Sequence, residues 1–152
     1  YSEQVISAIR SKGANNLIVV GTPTWSQDVD IAARDRVSDT NSAYALHFYA
    51  GTHHQGLRDK AQNALDAGVP LFISECGGVH AWGGGDFDHY EWDKWMKFID
   101  TYNIPTLFWH MGNTQKYETS SAIWQDVSPQ GPWSSGDLTA SGQAFVEAIG
   151  QK

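Results

Sequence analysis

The sequence predicts an α/β fold built from parallel βα repeats, on three observations. Apolar runs that read as strands alternate with segments whose apolar residues recur at helical spacing. The first three strands start about 27 residues apart, roughly the length of one βα unit. Each run is nearly continuous in apolar residues, as in parallel strands covered on both faces.

The elements follow in order. EQVISAIRSK, 3–12, places Val5, Ile6 and Ile9 on one helical face, and Gly13 is a natural stop. NNLIVVGTP carries a strand over about 16–21. Residues 28–34 read as a short helix. AYALHFYAG holds the second strand, about 43–50. Leu57, Ala61, Ala64 and Leu65 then recur at helical spacing, closed by Gly68 and Pro70. VPLFISE is the third strand. Asp88 and Glu91 begin a helix with the pattern of a capping box, backed by the stripe Trp92, Trp95, Met96 and Ile99. IPTLFWH, about 104–110, is the expected fourth strand, and a last helix near 140–150 carries Phe145, Val146 and Ile149.

Four βα units raise a closure problem. A closed eight-stranded barrel takes about 250 residues, whereas this chain has 152. An open half would expose apolar edges. Either four further strands close the sheet, from a missing segment or a second chain, or the sheet is small, open and doubly wound. Residues 1–152 read as one domain with no internal linker.

Composition narrows the function classes. Hydrophobic residues make up 41%, and no apolar run approaches a membrane span. The net charge of −7 argues against nucleic acid as a partner, because there is no basic surplus to displace counterions. The single cysteine, Cys76, excludes an internal disulfide. The chain starts at Tyr1 without Met, and YSEQVIS has no basic-then-apolar leader, so we expect that something before Tyr1 has been removed.

In parallel βα architectures chemistry gathers at the C-terminal ends of strands. Those ends carry Gly21, Thr22 and Trp25, then His47 and Tyr49, then Glu75, then Trp109 and His110. LFISECGG runs a buried-looking strand straight into the Glu75 carboxylate. A buried carboxylate is costly unless something pairs with it or uses it. His47 and Tyr49, two apart on a strand, share a face and are placed to hold such a carboxylate ionised.

Other chemistries find less support. Six His, including His53 and His54, show no metal-ligand spacing, so no metal or other cofactor is expected. Cys76 has no marked base beside it and reads as a small buried thiol. There is no G-x-S-x-G and no phosphate-binding G-x-x-x-x-G-K-[ST]; the glycine run 83–85 reads as a flexible loop. Seven Trp are many for this length. Trp82, Trp124 and Trp133 sit among Gly, Ser, Asp and Pro, where either core packing or a flat ligand platform accounts for them.

GTPTWSQDVDIA, ALHFYAGTHHQGLRDKA and LFISECG, in this order, resemble consecutive motifs of glycoside hydrolase family 5, the cellulase-type endoglucanases. The resemblance runs over about residues 3–148 and is to strands five to eight, the C-terminal half of that family's (β/α)8 TIM barrel. It implies roles residue by residue. Glu75 matches the catalytic nucleophile, and His47 and Tyr49 match the His-x-Tyr pair of strand six. Trp109 matches the tryptophan that supports the sugar beside the cleaved bond, and Trp25 an aromatic lining the cleft. Lys116 and Glu118 resemble a loop Lys-x-Glu that hydrogen-bonds a more distant glucose.

The sequence also departs from the family. Cys76 stands where the motif has Trp, and WHMGN leaves His110 unexplained. The Asn-Glu-Pro motif carrying the general acid is absent, as are the Arg and further His of the earlier strands. The implied function is therefore the C-terminal half of a secreted, retaining endo-β-1,4-glucanase, with a β-glucan as substrate and an N-terminal half as partner. The alternatives are a non-catalytic carbohydrate-binding protein with an aromatic cleft, or an unrelated open-sheet enzyme with a cysteine or metal site.

Overall fold

The computed structural model of the chain describes residues 1–113, 119–124, 126–128 and 130–150. Helix α1 (Ser2–Arg10) precedes strand β1 (Ile18–Val20). A single turn, α2 (Pro23–Ser26), and a 3-10 helix (Val29–Ala33) lead to β2 (Ser42–Tyr49). Helix α3 (Gln55–Asp66), strand β3 (Leu71–Gly77) and helix α4 (His89–Tyr102) follow. A 3-10 turn (Ser135–Asp137) and α5 (Ala140–Gly150) end the described chain.

The three strands form one parallel sheet in the order β1-β2-β3. Ile18 pairs with Ser42 and Val20 with Tyr44. Tyr44 pairs with Leu71, and the register slips between Leu46 and His47, so that Leu46 faces Ile73 while His47 faces Glu75. Ser74 is thus the extra residue of a β-bulge.

The expected fourth strand is not a full ladder partner. Residues 104–110 make one parallel bridge to β3, Thr106 with Ile73. Ile73 N–H donates to Pro105 O and Leu107 N–H to Ile73 O, but Trp109 N–H then reaches Cys76 O, skipping a residue. The bulge at Ser74 breaks the even spacing that a parallel ladder needs. The Cys76 thiol fills part of the gap, donating to Leu107 O at 3.5 Å.

The core lies between the sheet and α3, α4 and α5. Phe48 stacks on Trp95 with ring centres 4.0 Å apart. Phe108 stacks on Phe145 at 4.8 Å. Arg58 enters this core from α3 because Glu91 meets its guanidinium at 2.8 Å and the Trp95 ring lies beneath it. The Asp88–Glu91 capping pattern is half realised. Asp88 accepts the Glu91 N–H, while the Glu91 carboxylate turns away to Arg58 and Lys94.

Two apolar stripes are narrower than their spacing predicts. In α1 Ile6 is buried and Val5 exposed, and in α5 Phe145 is buried while Val146 and Ile149 stand exposed. The helix at 28–34 is a 3-10 helix, and the left-handed turn before it was not expected. Among the described residues no helix is long and apolar enough to cross a membrane.

Candidate active site

Glu75, His47 and Tyr49 meet at the C-terminal end of the sheet. The Tyr49 hydroxyl donates to Glu75 Oε1 at 2.7 Å. His47 Nδ1 stands 3.8 Å from Glu75 Oε2. The His47 and Glu75 side chains are 26% and 28% exposed, so the carboxylate is partly open to solvent rather than enclosed in the core.

Register explains the meeting. His47 lies opposite Glu75, and Tyr49 two residues on shares the His47 face. Burial first, and then the bond to Glu75, push the Tyr49 phenol well above its ordinary pKa, so it remains a donor. Gly77 gives the ring room: a Cβ there would stand 3.1 Å from Tyr49 Cε1.

His53 supports Tyr49 from behind. Ala50 N–H donates to Gly77 O, so the Tyr49 N–H points away from β3, on the side where β1 has already ended. His53 Nδ1 accepts that N–H at 2.9 Å. Burial pushes the His53 pKa down, consistent with a neutral ring carrying its proton on Nε2. The Trp95 indole N–H fixes the turn by donating to His53 O at 2.7 Å.

The other expected residues divide. Trp109 is anchored beside the end of β3 by its N–H bond to Cys76 O, with its side chain 46% exposed. The Trp109–His110 peptide is cis. His110 is accounted for by Ser121, whose Oγ lies 3.3 Å from its Nε2. Trp25 stands 84% exposed on a turn where Thr24, Trp25 and Ser26 all have positive φ. That backbone costs about 1–2 kcal/mol per residue. Asp28 braces the turn, accepting from Thr24 and pairing with Lys60. Lys116 and Glu118 lie outside the described residues.

The tryptophans split by role. Trp92 and Trp95 are core residues, whereas Trp25, Trp82, Trp109, Trp124 and Trp133 are all exposed. Trp82 stands on a braced loop. His80 N–H donates to Gly84 O, Ala81 N–H to Thr52 Oγ1, and Ser120 N–H to Gly83 O. The His80 ring is parallel to the Trp82 ring. The loop expected to be merely flexible is thus pinned by its backbone.

Cys76 is fully buried, and burial, then the neighbouring Glu75 charge, raise its thiol pKa well above the ordinary value. A thiol held protonated is a poor nucleophile. Among the described residues no three His, Cys, Asp or Glu side chains are grouped as metal ligands. Sequence reasoning missed Ser74, His53 and Gly77. The bulge that brings Ser74 to His47 has no signature in the strand pattern, while the adjacent pair His53-His54 was visible but weighed only as metal ligands.

Comparison with known proteins gives the family of the chain. Endoglucanase Z of Dickeya dadantii is 46% identical over 149 residues, covering 98% of this chain and 33% of that protein. A solved structure from Cytophaga hutchinsonii superposes with a TM-score of 0.92 at 43% identity, over 98% of this chain and 48% of that one. The catalytic domain of Thermobifida fusca endoglucanase Cel5A, solved with cellotetraose, superposes with a TM-score of 0.88 at 28% identity, over 100% of this chain and 51% of that one. The chain therefore spans about a third of the length of the curated relatives it matches and about half of the TIM-barrel structures. The family model for cellulase (glycosyl hydrolase family 5) matches residues 1–115. With more than half of its length matched by that model, the chain belongs to glycosyl hydrolase family 5, the cellulase family.

Proposed function

We propose that this chain is the C-terminal half, strands five to eight, of a (β/α)8 barrel, and that it carries the nucleophile of a retaining endo-β-1,4-glucanase. One observation carries the reading: Glu75 lies near the C-terminal end of β3, partly exposed, bonded to the Tyr49 hydroxyl and faced by His47. Family membership and endoglucanase relatives support the substrate class.

In this reading a Glu75 oxygen attacks the anomeric carbon of a bound glucosyl unit. The bond to the leaving oxygen breaks, and a general acid on the other half of the barrel protonates that oxygen. Two carboxyl groups about 5–5.5 Å apart are needed for retention, and the second is expected on the N-terminal half. Water activated by the same group then cleaves the glycosyl ester and frees Glu75. Tyr49 and His47 hold Glu75 aimed. Trp109 and Trp25 offer indole faces to the C–H surfaces of the sugars, and Lys116 and Glu118 bind a more distant glucose. A polymeric β-glucan as substrate fits a secreted protein.

The test is mass spectrometry after incubation with a 2-fluoro-cellobioside bearing an activated leaving group. That group departs without protonation, and the fluorine slows hydrolysis of the ester. An adduct on Glu75, from the chain alone or once the N-terminal half is supplied, is the expected result. No adduct in either case sinks the reading in favour of a carbohydrate-binding protein.

A further inference from the structure

We propose that Ser74 is a positioning residue that fixes the tautomer of His47, placing the imidazole proton on Nδ1, where it faces Glu75. The reading of Glu75 as nucleophile underlies the kinetic part of this proposal. The tautomer itself stands on geometry alone.

The β-bulge is the starting point. In a regular ladder Ser74 and Glu75 would point to opposite faces, and His47 would meet only one of them. The slip between Leu46 and His47 leaves Ser74 as the unpaired residue. Bulges re-aim side chains in this way. The result is a histidine with a partner on each ring nitrogen: Ser74 Oγ lies 2.8 Å from Nε2, and Glu75 Oε2 lies 3.8 Å from Nδ1.

A neutral imidazole has one N–H and one lone pair. If Nε2 carries the proton, it donates to Ser74 Oγ and the Nδ1 lone pair faces a carboxylate. Two negative ends then oppose each other in a partly dry site. If Nδ1 carries the proton, the N–H dipole points at Glu75 and Ser74 donates its hydroxyl hydrogen to Nε2. A hydroxyl serves equally as donor or acceptor, so the second arrangement keeps the Ser74 bond and also turns the N–H dipole of Nδ1 toward the carboxylate. The charged and titratable groups that face this ring are Glu75 and, through Glu75, the phenol of Tyr49. Neither competes for Nε2.

The consequence is a carboxylate held from two sides, by a hydroxyl on Oε1 and by an N–H dipole toward Oε2. The 3.8 Å gap is loose, as catalytic contacts often are without substrate.

The experiment uses the full-length protein that contains this chain, labelled with 15N-histidine. Long-range nitrogen–proton correlation spectra are recorded at a pH where the imidazole is neutral, with His47 assigned by the loss of its signals in His47→Gln. The expected wild-type result is a proton on Nδ1. In Ser74→Ala that preference collapses to a mixture or to Nε2–H, and in Ser74→Thr it returns. Glycosylation of Glu75 by the 2-fluoro-cellobioside then slows about five- to tenfold in Ser74→Ala, the scale of one neutral hydrogen bond, with recovery in Ser74→Thr. A wild-type proton on Nε2, or a tautomer unchanged in Ser74→Ala, overturns the proposal. The wild-type spectrum decides it even if the alanine variant fails to fold. Absence of Glu75 labelling in the wild type would overturn the nucleophile reading while the spectrum still decides Ser74.

Discussion

Tyr49 and Glu75 sit on adjacent parallel strands, and the phenol hydroxyl of one donates to the carboxylate of the other at 2.7 Å. The sign of its effect on the phenol is fixed. The carboxylate favours the neutral phenol, which therefore stays a donor.

Replacing Tyr49 with Phe leaves the ring and removes the donor. A hydrogen bond to a charged group is worth about 1.5–3 kcal/mol. Glycosylation of Glu75 by the 2-fluoro-cellobioside is expected to slow about ten- to hundredfold, with substrate affinity changed less. An unchanged rate would mean that Tyr49 does not act on the nucleophile.

The raised phenol pKa also sets an alkaline limit. The unfolded tyrosine titrates at its ordinary 10.0, whereas the folded one stays protonated above that value. Above that ordinary value the unfolded state therefore binds fewer protons than the folded one, and stability falls as pH rises. Below it the contribution is fully present. Denaturant midpoints measured between about pH 9 and 12 are expected to fall less steeply in Tyr49→Phe than in the wild type.

Gly77 and Gly78 are neighbours with different reasons for lacking a side chain. A Cβ on Gly77 meets Tyr49 at 3.1 Å, while one on Gly78 falls 2.1 Å from the Phe87 ring. Overpacking of this kind costs about 1–3 kcal/mol. Gly78→Ala is expected to lower the denaturation midpoint more than Gly77→Ala, and Gly77→Ala to slow Glu75 labelling more per unit of stability lost.

Cys76 is expected to resist alkylation while the chain is folded, because its thiol is buried and held protonated. Iodoacetamide should leave Glu75 labelling intact, and modification should appear only at denaturant concentrations that unfold the chain. Rapid native alkylation with loss of labelling would reinstate a cysteine mechanism.

Two tryptophans separate packing from binding. Trp82 is 69% exposed on its braced loop, whereas Trp95 is fully buried. Trp95→Ala is expected to cost about 3–5 kcal/mol, read by denaturant unfolding. Trp82→Ala should leave stability within about 0.5 kcal/mol and weaken retention on a soluble β-glucan in affinity electrophoresis.

The sequence made the alternating βα elements and the meeting of His47, Tyr49 and Glu75 legible for a simple reason. Period-two placement of His47 and Tyr49, and an apolar run ending in Glu75, survive folding because strands alternate strictly. It did not reveal the bulge at Ser74, since a one-residue slip is decided by pairing across strands, and that slip also broke the ladder expected at 104–110. Nor did helical spacing show that Val146 and Ile149 face outward, because periodicity marks an apolar face without saying what covers it. The left-handed turn under Trp25 uses Thr, Trp and Ser where glycine would signal it, so nothing in the residue types announced it.

The imidazole of His53 stands where a neighbouring strand would otherwise accept the Tyr49 N–H. The tip of β2 is therefore tied to residues only four positions along its own chain, and not to β1. The tyrosine, the glutamate and the supporting histidine all lie within residues 47–77, with Trp95 bracing the turn from α4. Shuffling between related barrels with a crossover before Ser42 should carry the pair across intact, whereas a crossover between Tyr49 and His53 would sever the histidine from the amide it holds.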